Sequence, residues 1–138
     1  MKSKKRILSD AVPEAAPGTY SNAFAVGRTI YVSGQHAGES DGTVIGPDDV
    51  RAQSVRALEK IRALLDAAGA TMDDIVKLTV FITDVSQRAA VGEARREFFT
   101  GDFPASTLVG ITALAMPGLL VEIDAIAVRG AGRSARKE

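Results

Sequence analysis

The most regular hydrophobic pattern lies between residues 48 and 69. Ser54, Leu58, Ile61, Leu65 and Ala68 recur at three- and four-residue steps and mark one apolar face of a helix. Arg51, Arg56, Glu59, Lys60 and Arg62 fill the remaining positions. Asp48-Asp49 opens the run with acidic residues in the first turn, where they meet the positive end of the helix dipole. Gly69 stands where a helix-ending glycine belongs. A shorter helix is predicted after Ser86 as N-cap, with Val91, Ala94 and Phe98 as its stripe and Gly101 and Pro104 as its end.

The other apolar runs read as strands. Arg6 to Ser9 is a short candidate. Residues 21–34 form a predicted hairpin, because Gly27-Arg28 suits a type II′ turn whose first position only glycine takes without strain. Residues 35–47 hold Gly38, Asp41-Gly42, Gly46 and Pro47, the chemistry of a loop. Ile75 to Thr83 is rich in β-branched residues and reads as a central strand. Ser106 to Thr112 and Leu119 to Val128 complete the set. In the last run Val121, Ile123, Ala125 and Ala127 share one face, and Glu122 and Asp124 the other. The order is strand, strand, strand, helix, strand, helix, strand, strand. It predicts an α+β domain with two helices packed on one face of a mixed sheet. Residues 1–16 read as an N-terminal tail with the first strand, 17–129 as the domain, and 130–138 as a C-terminal tail.

Composition narrows the function classes. With 138 residues and 46% apolar content the chain has the material for one core. Seventeen basic and seventeen acidic residues cancel, so no net field draws it to nucleic acid or membrane. Charge does gather at the ends, in Lys2, Lys4, Lys5 and Arg6 and in Arg133, Arg136 and Lys137. These are read either as solvated tails or as a patch for a polyanion. Without cysteine there is no disulfide, thiolate nucleophile or thiolate metal site. The single His36 makes no zinc site without several carboxylate partners, so no metal is expected. No run approaches the roughly 18 to 20 apolar residues of a membrane span. No apolar stretch follows the basic start as it would in a secretory signal, so the cytoplasm is the expected location. There is no phosphate-binding loop, dinucleotide glycine motif or nucleophile elbow.

Five segments in order resemble one known family. Gly18-Thr19-Tyr20-Ser21-Asn22-Ala23 is similar to the Gly-Pro-Tyr-Ser-Gln-Ala of the Rid (YjgF-type) family. Tyr31-Val32-Ser33-Gly34-Gln35 resembles its Phe-Val-Ser-Gly-Gln. Leu65 to Gly69 followed by Asp73 to Phe81 resembles its helix-to-strand passage. Phe103-Pro104-Ala105 and Val121 to Ala127 match its two C-terminal strands. The resemblance covers about residues 17–129. It implies a chorismate-mutase-like α+β fold and a homotrimer with small-molecule clefts between neighbours. It also implies hydrolysis of enamines and imines derived from amino acids, with neither metal nor organic cofactor. Two strands of evidence in the composition oppose the ribonuclease label that some relatives carry, namely zero net charge and only 5% aromatic residues for base stacking.

What the resemblance implies for the site is specific. The family grips a substrate carboxylate with the arginine of Phe-Pro-Ala-Arg-Ser, but here the run is Phe103-Pro104-Ala105-Ser106-Thr107. Ser106 offers one neutral donor in place of a guanidinium fork. That exchange loses about 1–3 kcal/mol of carboxylate binding, and with it the usual substrate preference. Glu122 matches the family glutamate that positions water, and is read as a general base or as a carboxylate paired across the sheet or a subunit boundary. Tyr20 matches the tyrosine at the cleft, where it serves as donor and wall or as an interface aromatic. Ser33, Gly34 and Gln35 bring backbone groups to the pocket or simply end a strand. Ser86 stands where the family has an asparagine at the second helix. Arg88 is either a surface residue or the replacement cation, Thr107 lies beside Ser106, and His36 is a loop residue or an acid-base group. Two functions follow, a hydrolytic enamine or imine deaminase with altered preference and a non-catalytic metabolite-binding or regulatory trimer. A free carboxylate at Glu122 favours the first, and an ion-paired one the second.

Overall fold

In the computed structural model, which describes residues 2–132, the chain forms one mixed sheet and two helices. The strands are β1 (Lys4–Arg6), β2 (Ala23–Val26), β3 (Thr29–Gln35), β4 (Ile75–Ile82), β5 (Ala105–Gly110) and β6 (Val121–Val128). The helices are α1 (Val50–Ala67) and α2 (Arg88–Arg95). The sheet runs β1-β2-β3-β6-β4-β5, with β4 and β5 parallel and all other neighbours antiparallel. The expected α+β class and one-sided packing of the helices are what forms.

Alternation along the central strands decides which face is covered. Val121, Ile123, Ala125 and Ala127 of β6, Leu78, Val80 and Ile82 of β4, and Ile30 and Val32 of β3 are buried. They meet Ala57, Leu58, Ile61, Leu64 and Leu65 of α1 in one continuous core. The opposite face carries Tyr31, Thr79, Phe81, Val109, Glu122, Asp124 and Ile126, and none of these is fully buried. Among the described residues no element of the chain covers that face.

Several boundaries differ from the sequence reading, each for a local reason. β1 comes two residues early and pairs Lys4, Lys5 and Arg6 with Val26, Ala25 and Phe24, while Ile7 turns into the core. The basic start is therefore a sheet edge, with Lys4 over the Phe24 ring and Arg6 paired to Glu14. Arg133, Arg136 and Lys137 lie outside the described residues. Asp48 and Asp49 precede α1 instead of lying in its first turn. Asp49 is its N-cap and accepts a hydrogen bond from the Ala52 amide, and Asp48 takes a left-handed backbone. Ser86 is not the N-cap of α2. Asp84 caps a short 3-10 turn there, accepting from both the amide and the hydroxyl of Ser86, and α2 starts after it. Phe98 lies past the end of α2, half-buried under Arg62, and the next residue, Phe99, enters the core.

The ends of α1 do follow the expected logic. Gly69 has a φ of 76°, and the amides of Gly69 and Ala70 donate to the carbonyls of Asp66 and Leu65, closing the helix. One residue inside α1 was not singled out by periodicity. Gln53 is fully buried, donates to the carbonyls of Gly46 and Gly118, and accepts from the Leu120 amide. One side-chain amide thus satisfies three backbone groups in two loops.

Replacing Gln53 with Ala orphans those groups and is expected to cost roughly 1–3 kcal/mol for each one that water does not reach. Urea unfolding measures this. Gln87→Ala, at an exposed position, is the control and should stay within about 0.5 kcal/mol of wild type.

Candidate functional site

The register between β3 and β6 shifts between Val32 and Gln35, so the chain bulges at Ser33-Gly34. The bulge gives Glu122 its place. A Cβ on residue 34 would lie 2.7 Å from the Glu122 carboxyl carbon, closer than atoms can approach. Only glycine lets that carboxyl rest against the strand. Glu122 is half-buried, and among the described residues no cation or hydrogen-bond donor engages its carboxylate. Burial raises its pKa above the ordinary 4.5, and the negative charge of Asp124, two residues along the same face, raises it further.

The neighbouring groups fall into a cavity of about 350 Å³ lined by Tyr20, Asn22, Gly34, Gln35, His36 and Lys60, among others. Tyr20 is 59% exposed at its rim. Ser33 is committed to structure, its hydroxyl donating to the Ser21 carbonyl and its amide to Asn22. These bonds fix the segment that carries Tyr20. Gln35 is buried and donates to the Ser33 carbonyl. His36 accepts the Gly38 amide at Nδ1, so its Nε2 carries the proton of the neutral ring. Burial, and then the charge of Lys60, push the His36 pKa down against the opposing pull of Glu39.

Lys60 corrects the sequence reading that placed it on the polar side of the helix. It is only 4% exposed and donates through Nζ to the Gly38 carbonyl at 2.6 Å. Burial lowers its pKa, Arg56 lowers it further, and Glu39 opposes the shift. Glu39 is itself held by Arg56 at 2.9 Å and drawn below the usual carboxylate range by that bond. The signal was present in the sequence, since position 60 lies one turn beyond the buried Ala57 and next to Ile61.

The remaining predicted residues lie elsewhere. Ser106 pairs with Leu78 in the β4–β5 register and so faces the helices, whereas Glu122 pairs with Phe81 and faces the uncovered side. Within one protomer the two are therefore on opposite faces of the sheet. Ser106 lines a groove of about 530 Å³ between α2 and β5 together with Arg88, Gly92, Glu93, Arg95 and Arg96. Its hydroxyl accepts from Arg95 Nη1 at 3.0 Å. Arg88 shares this groove, but Arg95, which sequence reasoning missed, is the cation that touches Ser106. Thr107 faces the opposite way, and its hydroxyl accepts from Lys77 at 2.5 Å. Ser86 is occupied with Asp84. Among the described residues no group of three or more His, Cys, Asp or Glu could hold a metal ion, and no helix is long and apolar enough to cross a membrane.

Residues 11–129 match the family model described as Endoribonuclease L-PSP. The chain belongs to this family. Its members include the proteins called Rid and YjgF. A curated relative in Capra hircus, named 2-iminobutanoate/2-iminopropanoate deaminase, is 39% identical over 126 residues, which cover 91% of each chain. The protein of that name in Dermatophagoides farinae is 36% identical, over 91% of this chain and 98% of its own. Among solved structures, a Pseudomonas aeruginosa protein of unknown function superposes with a TM-score of 0.83 at 39% identity, over 93% of this chain and 94% of that one. RidA from an Antarctic Psychrobacter species gives a TM-score of 0.79 at 35% identity, over 90% and 98%. The α+β architecture of this L-PSP chain is thus the fold of its family.

The contact between residue 34 and Glu122 is open to direct test. Gly34→Ala should displace the carboxyl into solvent and return its titration, followed by carboxyl-carbon NMR, toward 4.5.

Proposed function

We propose that this L-PSP protein hydrolyses enamines or imines derived from amino acids, with Glu122 as the base that activates water. The single observation carrying this reading is the state of that carboxylate. It is half-buried, raised in pKa and free of any ion pair among the described residues. A structural ion pair would have lowered its pKa, so its unpaired state favours chemistry over the passive metabolite-binding alternative. The names of the curated relatives agree with this reaction class.

The chemistry needs few groups. Glu122 removes a proton as water adds to the imine carbon, and the C=N bond becomes a C–N single bond bearing a hydroxyl on the same carbon. That proton passes to nitrogen and gives the carbinolamine; the hydroxyl then loses its proton, which also reaches nitrogen, as the C=O bond forms and the C–N bond breaks, so that a ketone and ammonia leave. Water supplies the oxygen, so the step balances without an oxidant or reductant. Tyr20 at the rim, and the backbone at Ser33, Gly34 and Gln35, would orient the substrate.

A homotrimer is part of the proposal. The uncovered face bears Tyr31 (50% exposed) and Val109 (39% exposed), with Phe81 and Ile126 between them in the sheet. Burying such a face against neighbouring copies is the ordinary remedy for an unpartnered apolar surface. The clefts that hold substrate would then lie between subunits. With Ser106 where relatives of this type carry an arginine, small 2-imino acids are poor substrates.

Ammonia release from an imino acid generated in situ tests the reading. Glu122→Gln should lower the rate at least about 100-fold. The reading fails if that variant works as fast as wild type, or if the wild type turns over none of a panel of imines. Because the base acts only when ionised, the wild-type rate should rise with pH through a midpoint above 4.5. Ser106→Arg should raise turnover of small 2-imino acids by about tenfold or more. Light scattering should give three times the chain mass, and a monomer at assay concentration would remove the intersubunit cleft.

A further inference from the structure

The cavity beside Gly34 holds a buried cation that no acid of the described chain neutralises. The formally charged side chains on its lining are Glu14, Glu39 and Lys60. Glu14 is paired with Arg6 and Glu39 with Arg56, so both carboxylates are already engaged. Among the described residues no carboxylate lies within ion-pair distance of the Lys60 ammonium. Its hydrogen bond to the Gly38 carbonyl, at 2.6 Å, uses one N–H and leaves the others for a further acceptor. Lys60 is 4% exposed, yet it reaches the cavity wall. Burial has stripped the ammonium of water, as its lowered pKa records, and an anion beside it would offset that loss.

Other donors share the lining. His36 accepts the Gly38 amide at Nδ1, so its Nε2–H points to no protein acceptor among the described residues and is left for a ligand. The hydroxyls of Tyr20 and Ser40 lie on the same lining, and Ala115 and Met116 give it an apolar wall. Gly34 has a double position. It lines the cavity, and the Glu122 carboxyl rests against it. A ligand whose reacting carbon sits beside Glu122 can therefore extend past Gly34 toward Lys60. The volume of about 350 Å³ suits a small molecule of that reach.

We propose that Lys60 makes this cavity selective for ligands with a second carboxylate. The imines it suits best are those of dicarboxylic amino acids, and the products it holds best are 2-oxo dicarboxylic acids. The side-chain carboxylate accepts from Lys60 Nζ and His36 Nε2, while the imine carbon lies beside Glu122. Lys60 thus determines specificity and takes no part in making or breaking bonds. A neutral aliphatic side chain leaves the ammonium without a counter-charge and binds more weakly. The position of the reacting end rests on the hydrolytic reading, whereas the preference is a property of binding alone.

Titration calorimetry on the full chain compares 2-oxoglutarate with 2-oxopentanoate, which has the same carbon chain without the second carboxylate. At matched ionic strength the dicarboxylate should bind at least about tenfold more tightly. Lys60→Gln keeps an N–H for the Gly38 carbonyl but removes the charge, and should bring the two affinities within about threefold of each other. Should that variant not fold, the NMR resonance of the Lys60 ε-carbon in the wild type decides. It should move when 2-oxoglutarate is added and stay in place with 2-oxopentanoate. Equal affinities in the wild type, an unchanged preference in Lys60→Gln, or a Lys60 resonance indifferent to 2-oxoglutarate would overturn the proposal. Ammonia release from the imines of glutamate and norvaline, generated in situ, is read separately and should favour the glutamate imine at least about tenfold in kcat/KM. A binding preference without turnover of either imine would remove the hydrolytic reading alone.

Discussion

Two helices on a six-stranded sheet cover one face, and among the described residues nothing covers the other. This constraint organises the molecule. On the covered side, alternation in β3, β4 and β6 delivers a continuous apolar layer to α1, and burial there supplies the main driving force for folding. On the other side, the same alternation sets Glu122 and Asp124 beside Tyr31, Phe81 and Ile126. A carboxylate in such surroundings has lost part of its water and, among the described residues, gained no cation. Its raised pKa therefore follows from the one-sidedness of the fold.

The bulge at Ser33-Gly34 adds precision to that arrangement. A regular strand would bring a side chain against Glu122, whereas a glycine in a bulge leaves room for the carboxyl and re-aims the following residues, Gln35 and His36, into the adjoining cavity. The hydrogen bonds of Ser33 then tie the segment carrying Tyr20 to the same strand. Three features that look separate in the chain, a serine, a glycine and a distant glutamate, form one structural unit.

Much of the fold was legible in the residue pattern, because it rests on periodicities of two and of three to four. The hairpin at Gly27-Arg28, the closure of α1 at Gly69 and the two faces of β6 are local, and they form as read. The misreadings share a cause, which is competition between side chain and backbone that periodicity does not register. Ser86 does not cap α2 because it lies inside a 3-10 turn capped by Asp84, whose carboxylate accepts two bonds from it. Lys60 was placed in solvent by its charge, yet its long stem passes through the core side and its ammonium finds the Gly38 carbonyl. In the site, Glu122 and Gly34 were legible by resemblance. The division of the site residues between two faces was not, because it depends on the register of β5 against β4. Arg95 was legible only in retrospect, as one of three arginines along a single helix face.

The Gln53 amide has one more consequence. Leu120 stands just before β6, and its N–H is held by a helix side chain and not by a neighbouring strand. The chain between β5 and β6, which carries Ala115 and Met116 to the wall of the Tyr20 cavity, is thereby moored at its far end to α1. One wall of the cavity is thus fastened to the long helix through a single side-chain amide.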